Sequence, residues 1–134
     1  MPFIRTAVSE NTSKSNRDAI VKSIHGALVS SINMPEDELF NLVSDYNKDT
    51  LYFSRSFNGI RRSDTMVVVE ITMRRGRSDA MKRDLYAQIA ERINKSTGIS
   101  VKDVFIFTHE NDYSDWSVGN GVFAMEIAQQ RGDD

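Results

Sequence analysis

The chain contains no cysteine. Disulfides, thiolate zinc sites, iron–sulfur clusters and a cysteine nucleophile are therefore excluded. It also carries little net charge. Its 17 Lys and Arg residues against 19 Asp and Glu leave −2, so no global field draws it to nucleic acid or to an acidic membrane. No apolar run exceeds four residues, as at Met66–Val69 and Val104–Phe107, far short of a membrane span or a signal-peptide core. The two histidines, His25 and His109, stand apart and form no metal-ligand spacing. There is no Gly-rich phosphate loop, Gly-x-Ser-x-Gly elbow or dinucleotide fingerprint. The basic pairs Arg61-Arg62 and Lys82-Arg83 lack interleaved aromatics, which argues against a nucleic-acid partner. A reducing, cytoplasmic location is the simplest expectation.

What is present fits one soluble globular domain spanning residues 1–134, with 40% apolar and 27% charged residues. A chain of this size buries roughly two-thirds of its unfolded surface, enough for a core without staples. The sequence also matches itself when shifted by 65 positions. Ile4 then meets Val69, Ile20 meets Leu85, Ile24 meets Ile89, Leu28 meets Ile93 and Phe40 meets Phe105. The agreement is in hydrophobic pattern, and it keeps its order along the chain.

Each half reads as strand, helix, strand, over about 2–46 and 65–110. Residues 2–8 form a short apolar-rich strand. Ile20, Val21, Ile24, Leu28 and Ile32 have helical spacing over 14–32, with Ser13 or Ser15 as cap and Asp18 in or near the first turn. Residues 38–44 return as a strand. In the second half, 66–73 is a strand, Ser78 caps a helix over 79–96, Gly98 suits a left-handed stop, and 101–108 is a strand. Between the halves lie a strand candidate at Leu51–Phe53 and a turn signal at Asn58-Gly59. The tail from Glu126 is expected to fray.

A helical crossover makes the strands it joins parallel. The fold class is therefore α+β: tandem β-α-β repeats forming a four-stranded sheet with two helices on one face. Strand 66–73 is apolar at consecutive positions, which implies burial on both sides. Another subunit is the natural cover.

Four places could carry chemistry. Loss of Met1 would expose the secondary amine of Pro2, a nucleophile that titrates near neutrality, since an ordinary α-amino group lies near about 7.7–8.0; many chains also begin Met-Pro with no catalytic consequence. Arg74-Arg75-Gly76-Arg77 ends the most apolar strand. Strand alternation would send Arg75 and Arg77 one way and Arg74 the other, making a receptor for a carboxylate or phosphate or a solvated strand end. By the repeat, Pro2 falls level with Val67. Pro35-Glu36-Asp37-Glu38 is either a solvated turn or the source of a carboxylate that polarises a carbonyl. Trp116, ahead of Gly119-Asn120-Gly121, is a loop anchor or a pocket wall.

Taken together, these stretches resemble the tautomerase superfamily, and within it the branch around malonate semialdehyde decarboxylase. The resemblance rests on Met1-Pro2, the two β-α-β halves, and Pro35 through Phe40. It rests also on Ile71 through Ser78 followed by Lys82 through Tyr86, and on Asp115 through Gly119. It covers roughly residues 2–124. It implies a homotrimer with a tautomerase-like fold, no cofactor, and Pro2 at the base of a pocket near a subunit boundary. It further implies that Arg75 and Arg77 bind the substrate carboxylate while Arg74 is not needed for that role. Glu38 supplies the site carboxylate where the decarboxylase has aspartate, with Asp37 adjacent but facing away. Trp116 is a pocket wall, and Val118 stands where the decarboxylase has phenylalanine. The implied activity is keto-enol tautomerisation of a small oxo-carboxylate. The alternatives are decarboxylation or hydration with a cationic Pro2, or a non-enzymatic ligand-binding or signalling module of the same fold.

Overall fold

The computed structural model describes residues 2–126. Met1 and the tail beyond Glu126 lie outside the described residues. The elements are β1 (Phe3–Ser9), α1 (Lys14–Ile32), β2 (Asn41–Tyr46), β3 (Val67–Arg74), α2 (Asp79–Thr97) and β4 (Val104–Asn111). They build one four-stranded sheet in the order β2-β1-β3-β4.

Both helices begin and end on side-chain chemistry. Ser13 accepts a hydrogen bond from the Asn16 backbone N–H at 3.1 Å, so it is the cap rather than Ser15. Asp18 lies just past the first turn and pairs with Lys14 at 3.0 Å. Asn33 stops α1 in the left-handed conformation, φ 57°. Ser78 caps α2 through the Met81 N–H at 3.2 Å, and Gly98 ends it at φ 78°. Ile20, Ile24, Ala27, Leu28 and Ile32 of α1 and Leu85, Ile89 and Ile93 of α2 are buried at the period of a helix. They meet Ile4, Val8, Val67, Val69, Ile71 and Met73 of the sheet in one core.

Within each half the strands are parallel, β1 with β2 and β3 with β4. The halves join antiparallel, through β1 and β3. Phe3 is opposite Thr72 and Ala7 is opposite Val68. The repeat offset put Pro2 level with Val67; the antiparallel join carries it to the other end of β3.

Two strand starts move for local reasons, and one expected strand does not form. The second strand begins at Asn41 rather than at residue 38, because a turn closed by the Glu38 N–H on the Pro35 carbonyl (3.1 Å) precedes it. β4 begins at Val104 rather than at 101, after a short 3₁₀ turn over Val101–Asp103 capped by Ser100. Leu51–Phe53 is not a strand. The Asn58-Gly59 signal is met, with both residues at positive φ.

β3 is not buried on both sides within one chain. It alternates between fully buried and half-buried positions, and Val68, Glu70, Thr72 and Arg74 line the face away from the helices. That face also exposes Phe40, Leu42, Phe105 and Phe107.

The segment between the halves is moored by Asp103, which is 3% exposed. Its carboxylate accepts from the Ser63 N–H at 2.7 Å, from the Ser63 hydroxyl, and from the Thr65 hydroxyl at 2.9 Å. Burial pushes the Asp103 carboxyl up, but the bonds from Ser63 and Thr65 and the charge of Arg55 outweigh it, so it titrates below the ordinary aspartate value.

Two stability predictions follow from this packing. Ile89→Ala should lower stability by roughly 2–5 kcal/mol, seen as a lower urea midpoint with unchanged slope. Asp103→Asn should destabilise the chain above the unfolded aspartate pKa of about 3.9. The wild-type advantage should vanish as pH falls through the lower folded value, which urea unfolding of both proteins across the acid range checks.

Candidate active site

The register of the sheet sets the site. Phe3 pairs with Thr72, so the next residue back, Pro2, lies level with Met73 and one step from Arg74. On its other side, the Ile4 N–H donates to the Phe40 carbonyl at 3.0 Å, and the Phe3 and Phe40 rings stack with centroids 6.4 Å apart. Asn41 is the register partner of Ile4, so the residues leading into β2, Glu38 and Leu39, approach the same end of β1. Pro2 itself is buried. One end of the sheet thus collects Pro2, Glu38 and the arginine run.

Alternation holds along that run only as far as Arg74, where β3 ends. Beyond it the chain turns through Gly76 at φ 124°, a conformation suited to glycine. The three arginines then go to different partners. Arg74 is half-buried, with its guanidinium carbon 4.6 Å from the centroid of the Tyr113 ring. Arg75 donates its backbone N–H to Asn111 at 2.6 Å and its Nε to Asp112 at 3.2 Å, and its side chain remains 62% exposed. Arg77 donates Nη1 to the Arg74 carbonyl at 2.8 Å.

Burial, followed by the charge of Arg74, holds Arg77 below the ordinary arginine value, while Tyr113, Glu38 and Glu110 act in the opposite direction. Arg77 therefore lies within electrostatic reach of both Arg74 and Glu38. Glu38 is half-buried, whereas Glu36 and Asp37 are exposed. The pair that the geometry brings together is Arg74 with Arg77. Arg75, expected beside Arg77, is drawn to Asp112 instead.

The chain after β4 closes the same end. A 3₁₀ turn over Tyr113–Asp115 is fixed by the Asp112 N–H on the Asp115 carboxylate at 2.9 Å. Trp116 donates its indole N–H to the Asn111 side chain at 2.6 Å, and its carbonyl accepts from Ala124 at 3.1 Å. Asn111 is the register partner of Arg74, so the ring is tied to the strand end that bears the arginines. Trp116 is both loop anchor and neighbour of the site. Val118 is 51% exposed. Glu110, opposite Met73, receives Lys82 at 2.6 Å and raises the pKa of that lysine through the hydrogen bond.

Tyr113 was not singled out in the sequence, since a tyrosine between two aspartates carries no motif. Strand alternation separates Arg74 from Arg75 and Arg77, and past the strand end the turn through Gly76 brings Arg77 back to the Arg74 carbonyl. Among the described residues, no group of three or more His, Asp or Glu side chains could hold a metal ion, and no helix is long and apolar enough to cross a membrane.

A mixed sheet of two β-α-β units, with a cationic and carboxylate cluster at the end where the first strand begins, defines the class. The family model described as tautomerase enzyme matches residues 38–119. The chain is 31% identical over 125 residues to the probable tautomerase YusQ of Bacillus subtilis (strain 168), covering 93% of this chain and 98% of that one. It is 26% identical over 121 residues to the probable tautomerase YrdN of the same organism, covering 90% and 93%. Among solved structures it is similar to FG41 malonate semialdehyde decarboxylase inhibited by 3-bromopropiolate. There the TM-score is 0.87 at 27% identity, over 96% of each chain. A fused 4-OT symmetric trimer shares the fold, at TM-score 0.79 and 20% identity over 93% of this chain and 98% of that one. The chain belongs to the tautomerase family and is an enzyme.

Proposed function

We propose that this chain is a cofactor-free enzyme that uses the amine of Pro2 on a small oxo-carboxylate, with keto-enol tautomerisation as its reaction. The observation that carries this is the antiparallel register of β1 on β3, which sets Pro2 level with Met73, at the end of the strand that leads into Arg74 and Arg77. Removal of Met1 frees a secondary amine there. In its neutral form the amine takes a proton from the carbon next to the substrate carbonyl, and the electron pair moves onto the carbonyl oxygen. The enolate oxygen then takes that proton back from the amine, giving the enol, and the reverse sequence gives the ketone. Arg77 and Arg74 hold the substrate carboxylate through charge-assisted hydrogen bonds. The site carboxylate is Glu38, which orients the carbonyl or its enol hydroxyl. Trp116 walls the pocket, and the absence of a ring at Val118 widens it.

A second reading is favoured by the likeness to FG41 malonate semialdehyde decarboxylase. A protonated Pro2 polarises the carbonyl of a β-oxo acid, the bond to the carboxylate breaks, CO2 leaves, and the enolate takes up a proton. A positive group beside an amine favours its neutral form and a carboxylate favours its protonated form, so one site with arginines and Glu38 can serve either chemistry. The assembly we propose is a homotrimer in a reducing, cytoplasmic setting. Its support is the open sheet face with exposed Phe40, Leu42, Phe105 and Phe107, which another copy would cover.

The test is turnover of phenylenolpyruvate and of malonate semialdehyde by protein whose intact mass shows Pro2 at the terminus. Pro2→Ala should lower kcat/KM by about 10²-fold or more, with oligomeric state unchanged by light scattering. Arg77→Ala and Arg74→Ala should each cost on the order of 10²-fold, and Arg75→Ala clearly less. A base role makes kcat/KM rise with pH through the amine pKa; an acid role makes it fall. Full activity with Met1 retained would sink the proposal.

A further inference from the structure

His25 lies outside the cluster just described, on the middle of α1. Its Nε2 is 2.8 Å from the carbonyl oxygen of Glu36. A carbonyl can only accept, so Nε2 carries a hydrogen and donates it to Glu36. Nδ1 is buried and has no hydrogen-bond partner. A buried polar atom without a partner costs free energy, so this ring is poorly placed as a mere filler of the helix surface. What it does achieve is to hold one carbonyl in a fixed place.

That carbonyl is the second residue of the turn that delivers Glu38. The turn runs from Pro35 to Glu38 and is closed by the Glu38 N–H on the Pro35 carbonyl at 3.1 Å. It hangs between two anchors. Met34 is buried at the end of α1, and the Phe40 carbonyl receives the Ile4 N–H at 3.0 Å. Pro35, Glu36, Asp37 and Leu39 between them are exposed, so no buried apolar side chain presses the turn onto the helix. The His25 ring does this instead.

We propose that His25 is a positioning residue, which sets where the Glu38 carboxylate stands relative to Pro2 and Arg77 by clamping the turn to α1. This rests on the functional reading above. Catalysis through a positioned carboxylate is sensitive to displacements of about 1 Å, so the clamp acts on turnover more than on substrate affinity.

Two substitutions separate this role from simple packing. The amide nitrogen of Gln occupies roughly the place of Nε2, whereas that of Asn falls short. His25→Asn should lower kcat on phenylenolpyruvate by about 10-fold with KM changed less than about 2-fold. His25→Gln should recover most of the loss. In a Glu38→Gln background, His25→Asn should have no further effect on kcat, because the group it positions is already gone. Independently of turnover, the Glu38 carboxyl carbon resonance at neutral pH should move in His25→Asn and stay close to the wild-type position in His25→Gln. Equal behaviour of the Asn and Gln variants, losses that multiply in the double variant, or an unmoved Glu38 resonance would each overturn the assignment. Glu38→Gln turning over like wild type would instead remove Glu38 from the proposed mechanism, and the resonance would still decide whether His25 sets its position.

Discussion

The antiparallel pairing of β1 with β3 is the constraint on which the rest of the molecule depends. Each β-α-β unit alone is parallel and would leave its first residue far from the end of its partner unit's first strand. Pairing the two first strands head to tail reverses that relation. The start of one unit then meets the finish of the central strand of the other, and Pro2 comes to the end that carries Arg74 and Arg77. The same pairing holds the two helices on one side of the sheet, where Leu28 and Leu85 share a single core. Core and site are thus consequences of one set of backbone hydrogen bonds.

A second level of organisation lies in the turn after β4. Three arginines close together would repel one another and spread without direction. Here Asp112 takes Arg75, the Tyr113 ring takes Arg74, and the Arg74 carbonyl takes Arg77. Neutralising one cation and ordering two leaves a defined pair rather than a diffuse positive patch. The acids on the other flank, Glu38 and Glu110, temper the field without quenching it. Trp116, tied to Asn111, fastens this turn to the strand that pairs with β3.

Much of the fold was legible in the sequence because period and caps agreed. Ile20, Ile24 and Leu28 with Ser13, and Leu85, Ile89 and Ile93 with Ser78 and Gly98, define both helices almost to the residue. The strands slipped by about three positions at Glu38–Phe40 and Val101–Asp103, where short turns use residues that look strand-like by composition. The relation between the halves was not legible. A repeat offset records which positions are equivalent, and it does not say whether equivalent strands run alongside or against each other. For that reason Pro2 was aligned with Val67 rather than with the arginine end. Alternation likewise holds through Arg74 and lapses beyond it, where the turn through Gly76 sends Arg75 to Asp112 and Arg77 to the Arg74 carbonyl. Tyr113 and His25 act through a ring face and a carbonyl contact, neither of which leaves a pattern in the chain.

Gly76 carries a consequence of its own. It is exposed, and a methyl group built on it would meet nothing within 4 Å. By the usual reasoning such a surface position accepts almost any replacement. Its torsion of 124° rejects every L side chain at a cost of about 1–3 kcal/mol. In a family drifting apart, the neighbouring cations could exchange identities while this featureless residue stays put. Constancy at an open, contactless position would then mark the bend that aims the charges, and not the charges themselves.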